Sequence, residues 1–415
     1  MDEKLIALVI FITCYSLVIS RKFKLSFISL TAAFLLFCFG IVSPRTAIFE
    51  AIKWDVLAIY WGFMMISMIF SKSKMPALIA NKIIKRAKKE KYVILFLCAI
   101  TALLSAFMEN VGVVLMMAPV AIESARKLKS NLFPYIVAIA ISSNIVTTLT
   151  MIADPPSIIL ALETGMKFFD FYWFQGKLSL GVITFFGAIA ALLSLLYIFR
   201  KMKKNVETSE EKIEVDYLPS IIFLAGILAL ALAPYFELRP GVVGMGAGLT
   251  ALAVGKKDRK GMLKDFDWNS FFFIVGIFII ISSLEITGLL DNFVNKIADL
   301  EMSNGSLMLA IIIWISVAVS SFMDNVPYTV LMIPICIKLA AITGANPFLF
   351  LFGMLIGTGI GGSITPVGAT ANVFACGILE KEGYKIKTKD YMKISLPFTI
   401  IAVLVCHLLL QILWG

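Results

Sequence analysis

Apolar residues in this chain come in runs of about 16–20, enough for a helix to cross a hydrocarbon core about 30 Å thick. Inside hydrocarbon no water satisfies the backbone, so spanning segments must be helices or strands of a closed barrel. Runs of this length indicate helices. Spans are expected at 5–20, 24–42, 54–71, 178–199, 217–235, 241–255, 268–287 and 394–413, with interrupted spans at 133–165 and 347–380. The composition agrees: of 415 residues, 60% are hydrophobic and 15% charged. A soluble domain has about 45–50% and about 25%. The first run, Leu5 to Ser20, lacks a signal peptide's basic start and small-residue cleavage site, and Arg21-Lys22-Phe23-Lys24 follows it. It reads as a retained span.

The net charge of +10 does not require a nucleic-acid partner. With the N-terminus outside, about 29 of the 37 Lys and Arg fall in loops facing the cytoplasm, the positive-inside pattern. The expected location is the cell membrane, multi-pass, with both termini outside. The basic segment Met75 to Lys91 suits an amphipathic helix on the inner leaflet. Six cysteines stand singly, with no CxxC pair or Cys/His cluster, so they read as apolar packers. His407, the single histidine, reads as interfacial.

Two longer apolar segments, 91–126 and 306–342, each hold a carboxylate beside an Asn at mid-length. Ser105-Ala106-Phe107-Met108-Glu109-Asn110-Val111 leads to Pro119, and Ser320-Ser321-Phe322-Met323-Asp324-Asn325-Val326 leads to Pro334. Each segment fits a re-entrant hairpin turning at the motif. The repeat extends further. Trp54 to Ile83 aligns with Trp268 to Ile297, and the later register brings Thr148 onto Ser363 and Thr150 onto Thr365. The expected fold is therefore an all-α integral membrane protein of two repeats, 1–199 and 217–415, joined by a cytoplasmic linker, 200–216. Each repeat has five transmembrane spans, one of them broken, and one re-entrant hairpin. Five is odd, so the second repeat is inverted relative to the first.

Both interrupted spans hold helix breakers. Pro155-Pro156 cannot continue a helix from Phe133, so the chain should break near Thr150 to Asp154 and restart with Asp154 as N-cap. Gly357 to Asn372 reaches the same result with glycines and Pro366. Such breaks expose helix N-termini, carbonyls and hydroxyls, from which transporters build ion sites. Intramembrane acids cost several kcal/mol and persist mainly where they serve ions, substrate or water. Glu109, Asn110, Thr148, Thr150 and Asp154 form a candidate coupling-ion set. Asp324, Asn325, Ser363, Thr365, Thr370 and Asn372 form a candidate substrate set. Two readings stay open for Asp154, cap or ion ligand, and for the two asparagines, turn partner or ligand. Asp265, Asp267, Asp55, Glu123 and Glu285 fall at span ends and read as solvated or interfacial.

Glu109-Asn110-Val111 with Ala118-Pro119-Val120 and Asp154-Pro155-Pro156-Ser157 resembles the first-half motifs of the arsenite permease and pink-eyed-dilution P protein group. Asp324-Asn325-Val326-Pro327-Tyr328-Thr329, Gly361-Gly362 and Gly368-Ala369-Thr370-Ala371-Asn372-Val373 resemble its second-half motifs. That group belongs to the ion transporter superfamily, with the citrate and dicarboxylate carriers and the NhaD-type antiporters. The resemblance implies a scaffold, a transport domain, alternating access with ion coupling, and a homodimer. The tips depart from the dicarboxylate carriers, which carry Ser-Asn-Thr there, and Glu109 replaces the Asp of the P protein group.

The expected function is secondary active transport of arsenite, antimonite or another small oxyanion, coupled to H⁺ or Na⁺. The alternatives are a Na⁺/H⁺ antiporter and a passive anion channel. No Ser/His/Asp set, phosphate loop or metal-ligand spacing is present, so neither an enzyme, a cofactor nor a metal beyond Na⁺ is expected. Energy would come from an ion gradient or a separate ATPase subunit. The expected partners are the small ion and the lipid bilayer.

Overall fold

A computed structural model describes residues 2–20, 22–205, 214–298 and 305–415, without the side chains of residues 83 and 257. Arg21 of the basic cluster and Glu210 and Glu211 of the linker lie outside the described residues. The described chain is mostly helical, with one short two-stranded pairing of Trp173–Phe174 with Lys177–Leu178. Its first half runs through α1 (Glu3–Ser20), α2 (Leu25–Cys38), α3 (Pro44–Thr46), α4 (Trp54–Lys72) and α5 (Met75–Ile84). It continues through α6 (Glu90–Ser105), α7 (Asn110–Lys127), α8 (Leu132–Asn144), α9 (Pro155–Thr164) and α10 (Leu180–Ile198). The second half repeats this order: α11 (Tyr217–Leu232), α12 (Pro240–Val254), α13 (Arg259–Asp265), α14 (Trp268–Ile286) and α15 (Leu289–Ala298). Then follow α16 (Gly305–Ser320), α17 (Asn325–Thr343), α18 (Pro347–Gly361), α19 (Thr370–Lys381) and α20 (Thr388–Trp414). Seven described helices, α1, α4, α10, α11, α14, α17 and α20, are long and apolar enough to cross a membrane. Shorter apolar helices, α2, α8, α12, α16 and α18, accompany them.

The helices pack in two groups, which meet where α4 touches α7 and α9 and where α14 touches α17. In one, α4 lies on α12 and α14 lies on α2, with α1 and α11 beside them. Small residues set both crossings. A Cβ on Gly62 would lie 1.7 Å from the Gly244 carbonyl oxygen, and one on Gly276 would lie 2.5 Å from Ser29 Oγ. Backbones this close admit no side chain, and the equivalent pair does the same work in each half. In the other group, α6 and α7 pack on α8, and α16 and α17 on α18. The halves also interlock: α9 packs on α17, while α19 packs on α7 and α8.

Both paired apolar segments are helical hairpins. Glu109 caps α7, accepting from the Gly112 N–H at 3.0 Å, and Asp324 caps α17, accepting from the Val326 N–H at 3.1 Å. Both spans are broken, but α8 ends at Asn144, short of the expected break near Thr150 to Asp154, while α18 ends at Gly361, within the expected Gly357 to Asn372 stretch. The restarts differ from expectation in one respect. Asp154 takes the extended N-cap backbone, but its side chain makes no cap hydrogen bond. Pro156 removes the N2 N–H that such a cap would use, and the Ser157 N–H bonds the Asp154 backbone carbonyl at 3.0 Å instead. The carboxylate therefore reaches elsewhere.

Candidate functional site

The hairpin tips and helix restarts meet at one cavity of about 60 Å³. Its acids are Glu109 and Asp324 at the tips, Asp154 at the start of α9, and Asp267 at the start of α14. Asn110, Asn144, Asn325, Tyr60, Ser270 and Thr370 complete its polar wall. No Lys, Arg or His is among the described residues lining it.

A chain of amides positions the acids. Ser105 Oγ donates to Asn110 Oδ1 at 2.6 Å, and Ser320 Oγ donates to Asn325 Oδ1 at 2.7 Å, the same contact in each tip. That leaves each Asn amide free to donate onward, and both chains of bonds cross between the halves, the first through Asn144 and the second directly. Asn110 Nδ2 donates to Asn144 Oδ1 at 3.2 Å, and Asn144 Nδ2 donates to Asn372 Oδ1 at 2.8 Å. Asn325 Nδ2 donates to Asp154 Oδ2 at 3.5 Å. Asp154 thus belongs to the second tip as much as to the first-half set in which the sequence groups it. Buried amides with both ends satisfied stabilise this crossing; a missing partner would cost about 1–3 kcal/mol.

Of the residues singled out from sequence, Glu109, Asn110, Asp154, Asp324, Asn325 and Thr370 line the cavity. The other five lie outside its lining. Thr148 shares a hydrogen bond with Thr184 of α10 at 2.7 Å. Thr150 donates to the Ala106 carbonyl and Thr365 to the Ser321 carbonyl, each tying a break to the hairpin of its own half. Ser363 Oγ donates to the Ile141 carbonyl at 3.5 Å. Asn372 is fully buried and donates to the Gly362 and Thr365 carbonyls, both at 2.9 Å. Asn372 and Ser363 thus satisfy carbonyls of the broken spans, Thr150 and Thr365 satisfy carbonyls of the hairpins, and Thr148 pairs with a hydroxyl. The expected separation into a first-half and a second-half site is absent from the geometry: both halves enclose one cavity.

Four lining residues escape the sequence reading. Asp267, placed among solvated span ends, accepts from the Ser270 N–H at 3.0 Å and from Ser270 Oγ, and faces the same space as Glu109. Tyr60, Asn144 and Ser270 sit within apolar helices and carry no motif. Asp267 was detectable only as an acid immediately before a span.

The fold also holds two larger vestibules. One, of about 490 Å³, includes Glu109, Asp267 and Thr370, so it reaches the site. The other, of about 380 Å³, lies among Glu50, Lys53, Glu163 and Glu285 and shares no lining residue with the site.

A multi-helical membrane chain whose hairpins and broken helices enclose an acidic cavity defines a membrane transporter. Residues 15–357 match the family described as Citrate transporter, CitMHS, and the chain belongs to that family within the ion transporter superfamily. It is similar to an uncharacterized transporter of Mycobacterium tuberculosis, 29% identical over 395 residues and 92% of each chain. It is also similar to the P protein of Homo sapiens, 24% identical over 462 residues, covering 89% of this chain and 55% of that one. Among solved structures, the YdaH transporter of Alcanivorax borkumensis shares the fold with TM-score 0.55 at 12% identity, covering 91% of this chain and 87% of that one. MtrF of Neisseria gonorrhoeae does so with TM-score 0.57 at 10% identity, covering 91% and 84%.

Proposed function

We propose that the chain is a cation-coupled secondary transporter working by alternating access. Two inverted repeats form a fixed scaffold around α4, α12, α2 and α14 and a moving part around the hairpins and broken spans. The observation that carries this reading is the convergence of Glu109, Asp154, Asp267 and Asp324 on one cavity without a basic side chain in its described lining. Bare, such a set pays desolvation and mutual repulsion. A proton or Na⁺ relieves both, and oxygen-rich walls suit a hard cation. The cation therefore binds first and allows substrate to follow.

A cavity of about 60 Å³ holds a few water-sized groups, which suits a small oxyacid such as arsenite or antimonite, neutral or anionic. A tricarboxylate, which the family's name suggests, would need the larger vestibule and more accompanying cations. The all-acid lining also favours a second reading, Na⁺/H⁺ exchange without an anion, and disfavours a passive anion channel. The basic loops support a cytoplasmic position for the vestibule that reaches the site, with both termini outside. Single cysteines replacing Lys88 or Lys203 should then resist impermeant reagents added to intact cells; labelling from outside would invert the topology.

Reconstituted protein, given imposed pH and Na⁺ gradients, decides among substrates. Uptake of arsenite, citrate, succinate and chloride should be compared. Gradient-driven arsenite accumulation supports the leading reading, and Na⁺/H⁺ exchange with no anion supports the second. A chloride current indifferent to both gradients would remove the carrier.

A further inference from the structure

The scaffold lines the cavity unequally. Helix α14 supplies Ser270, Phe273 and Ile274, preceded by Asp267, whereas α4 supplies Tyr60 alone. In the repeat register Trp54 matches Trp268, so Lys53 is the counterpart of Asp267 and Val56 that of Ser270. Both residues hold the N-cap position of their helices with nearly the same backbone, φ −87° and ψ 84° at Lys53, φ −75° and ψ 76° at Asp267. Their charges are opposite.

The vestibules obey the same correspondence. The one reaching the site is lined by Met68, Asp265 and Asp267; the other, at the matching positions, by Ser282, Ala51 and Lys53. Lys53 is held by Glu163 of α9 at 3.1 Å, an ion pair joining the scaffold to the interlocked hairpin group. The counterpart of Glu163 is Ile378, so the opposite face has no equivalent pair.

We infer that this single repeat position sets the sidedness of cation affinity: the site meets Asp267 on one face of the membrane and Lys53 on the other. The inference rests on the alternating-access reading above. In the arrangement seen, Asp267 joins Glu109, Asp154 and Asp324 and strengthens the hold on a cation, while Glu163 occupies Lys53. When the moving part shifts, Glu163 leaves with α9, and the freed ammonium faces the three mobile acids. It then stands in for the coupling cation, promoting cation release on that face and return of the unloaded carrier. A cation shifts such an equilibrium only by its differential affinity for the two states. The exchange of Asp for Lys provides that difference.

The test reads vestibule access through Met68→Cys on one side and Ser282→Cys on the other. Each is introduced singly with Cys38→Ala, the other native thiols being buried. Maleimide labelling is followed against Na⁺ at fixed pH and against pH at fixed Na⁺. The titratable and charged groups facing Asp267 are Glu109, Asp154, Asp324, Tyr60, Asp265 and Lys72, and those facing Lys53 are Glu163, Glu50 and Glu285. Cation should raise labelling at 68 and lower it at 282, by roughly five-fold. Asp267→Asn or Lys53→Met should reduce that response to roughly two-fold or less. The exchange Lys53→Asp with Asp267→Lys should reverse its sign. Glu163→Gln, which releases Lys53 without changing its charge, should raise labelling at 282 at every cation concentration. A folded exchange variant that responds in the wild-type direction overturns the inference alone. A wild type indifferent to both Na⁺ and pH removes the carrier reading and the inference together.

Discussion

The two helix breaks perform the same backbone task with opposite chemistry. Thr150 and Thr365 occupy the same repeat position, and each binds the carbonyl at the base of its own hairpin tip. Ile152 N–H and Val367 N–H then donate to those hydroxyls, both at 3.3 Å. One residue past each break the resemblance ends. The first restart has Asp154 before two prolines, the second Ala369 before Thr370. Backbone satisfaction is demanded equally of both halves, because a released carbonyl costs the same on either side. Charge is not so constrained, and it is charge that makes the site.

The largest expected effect tests that distinction. Glu109→Gln and Asp324→Asn keep shape and remove charge, so each should abolish coupled transport, at least about a hundredfold in rate, with the fold intact. Wild-type uptake by either variant would return the tips to a purely structural role. Asp154→Asn should shift the cation-activation curve strongly, since it removes a carboxylate that also anchors Asn325.

A smaller, purely structural effect is expected one step away. Asn372→Ala loses two donated bonds and the acceptor of Asn144, whereas its counterpart Ser157 makes one bond, to the Thr147 carbonyl at 2.7 Å. With about 1–3 kcal/mol for each buried partner left unpaired, Asn372→Ala should destabilise by more than Ser157→Ala. Thermal unfolding in detergent measures both, and equal losses would show that the bridge between halves carries no stability. Thr150→Val and Thr365→Val should each cost about 1–3 kcal/mol and match one another. A markedly unequal pair would end the equivalence of the breaks. Thr370→Ala, at an exposed position in the lining, should change substrate affinity by less than about 1 kcal/mol and leave stability alone.

Much of the fold was legible before any coordinates. Apolar run length located the helices, and Pro155-Pro156 and the glycines before Pro366 located the breaks, because a missing N–H or a missing Cβ acts on its own backbone. The tip acids were legible too, since a carboxylate in an apolar run has few reasons to persist. The partition of the other polar residues was not. Thr148, Thr150, Ser363, Thr365 and Asn372 have the side chains a ligand would have, yet their partners are carbonyls and a hydroxyl brought near by packing.

The sequence by itself determined that this chain crosses a membrane, that it is built twice, and that acids stand at both turns. Those properties follow from local hydrophobicity, from Pro and Gly, and from a repeat readable along one dimension. Only the tertiary structure decided that one cavity, not two, receives the acids, that Asp154 reaches the opposite tip, and that Asp267 joins them. Each depends on α9 lying against α17 and on the start of α14 meeting both tips, contacts between segments far apart in the sequence. Local propensity carries no information about such distances; interlocking of the two halves creates them.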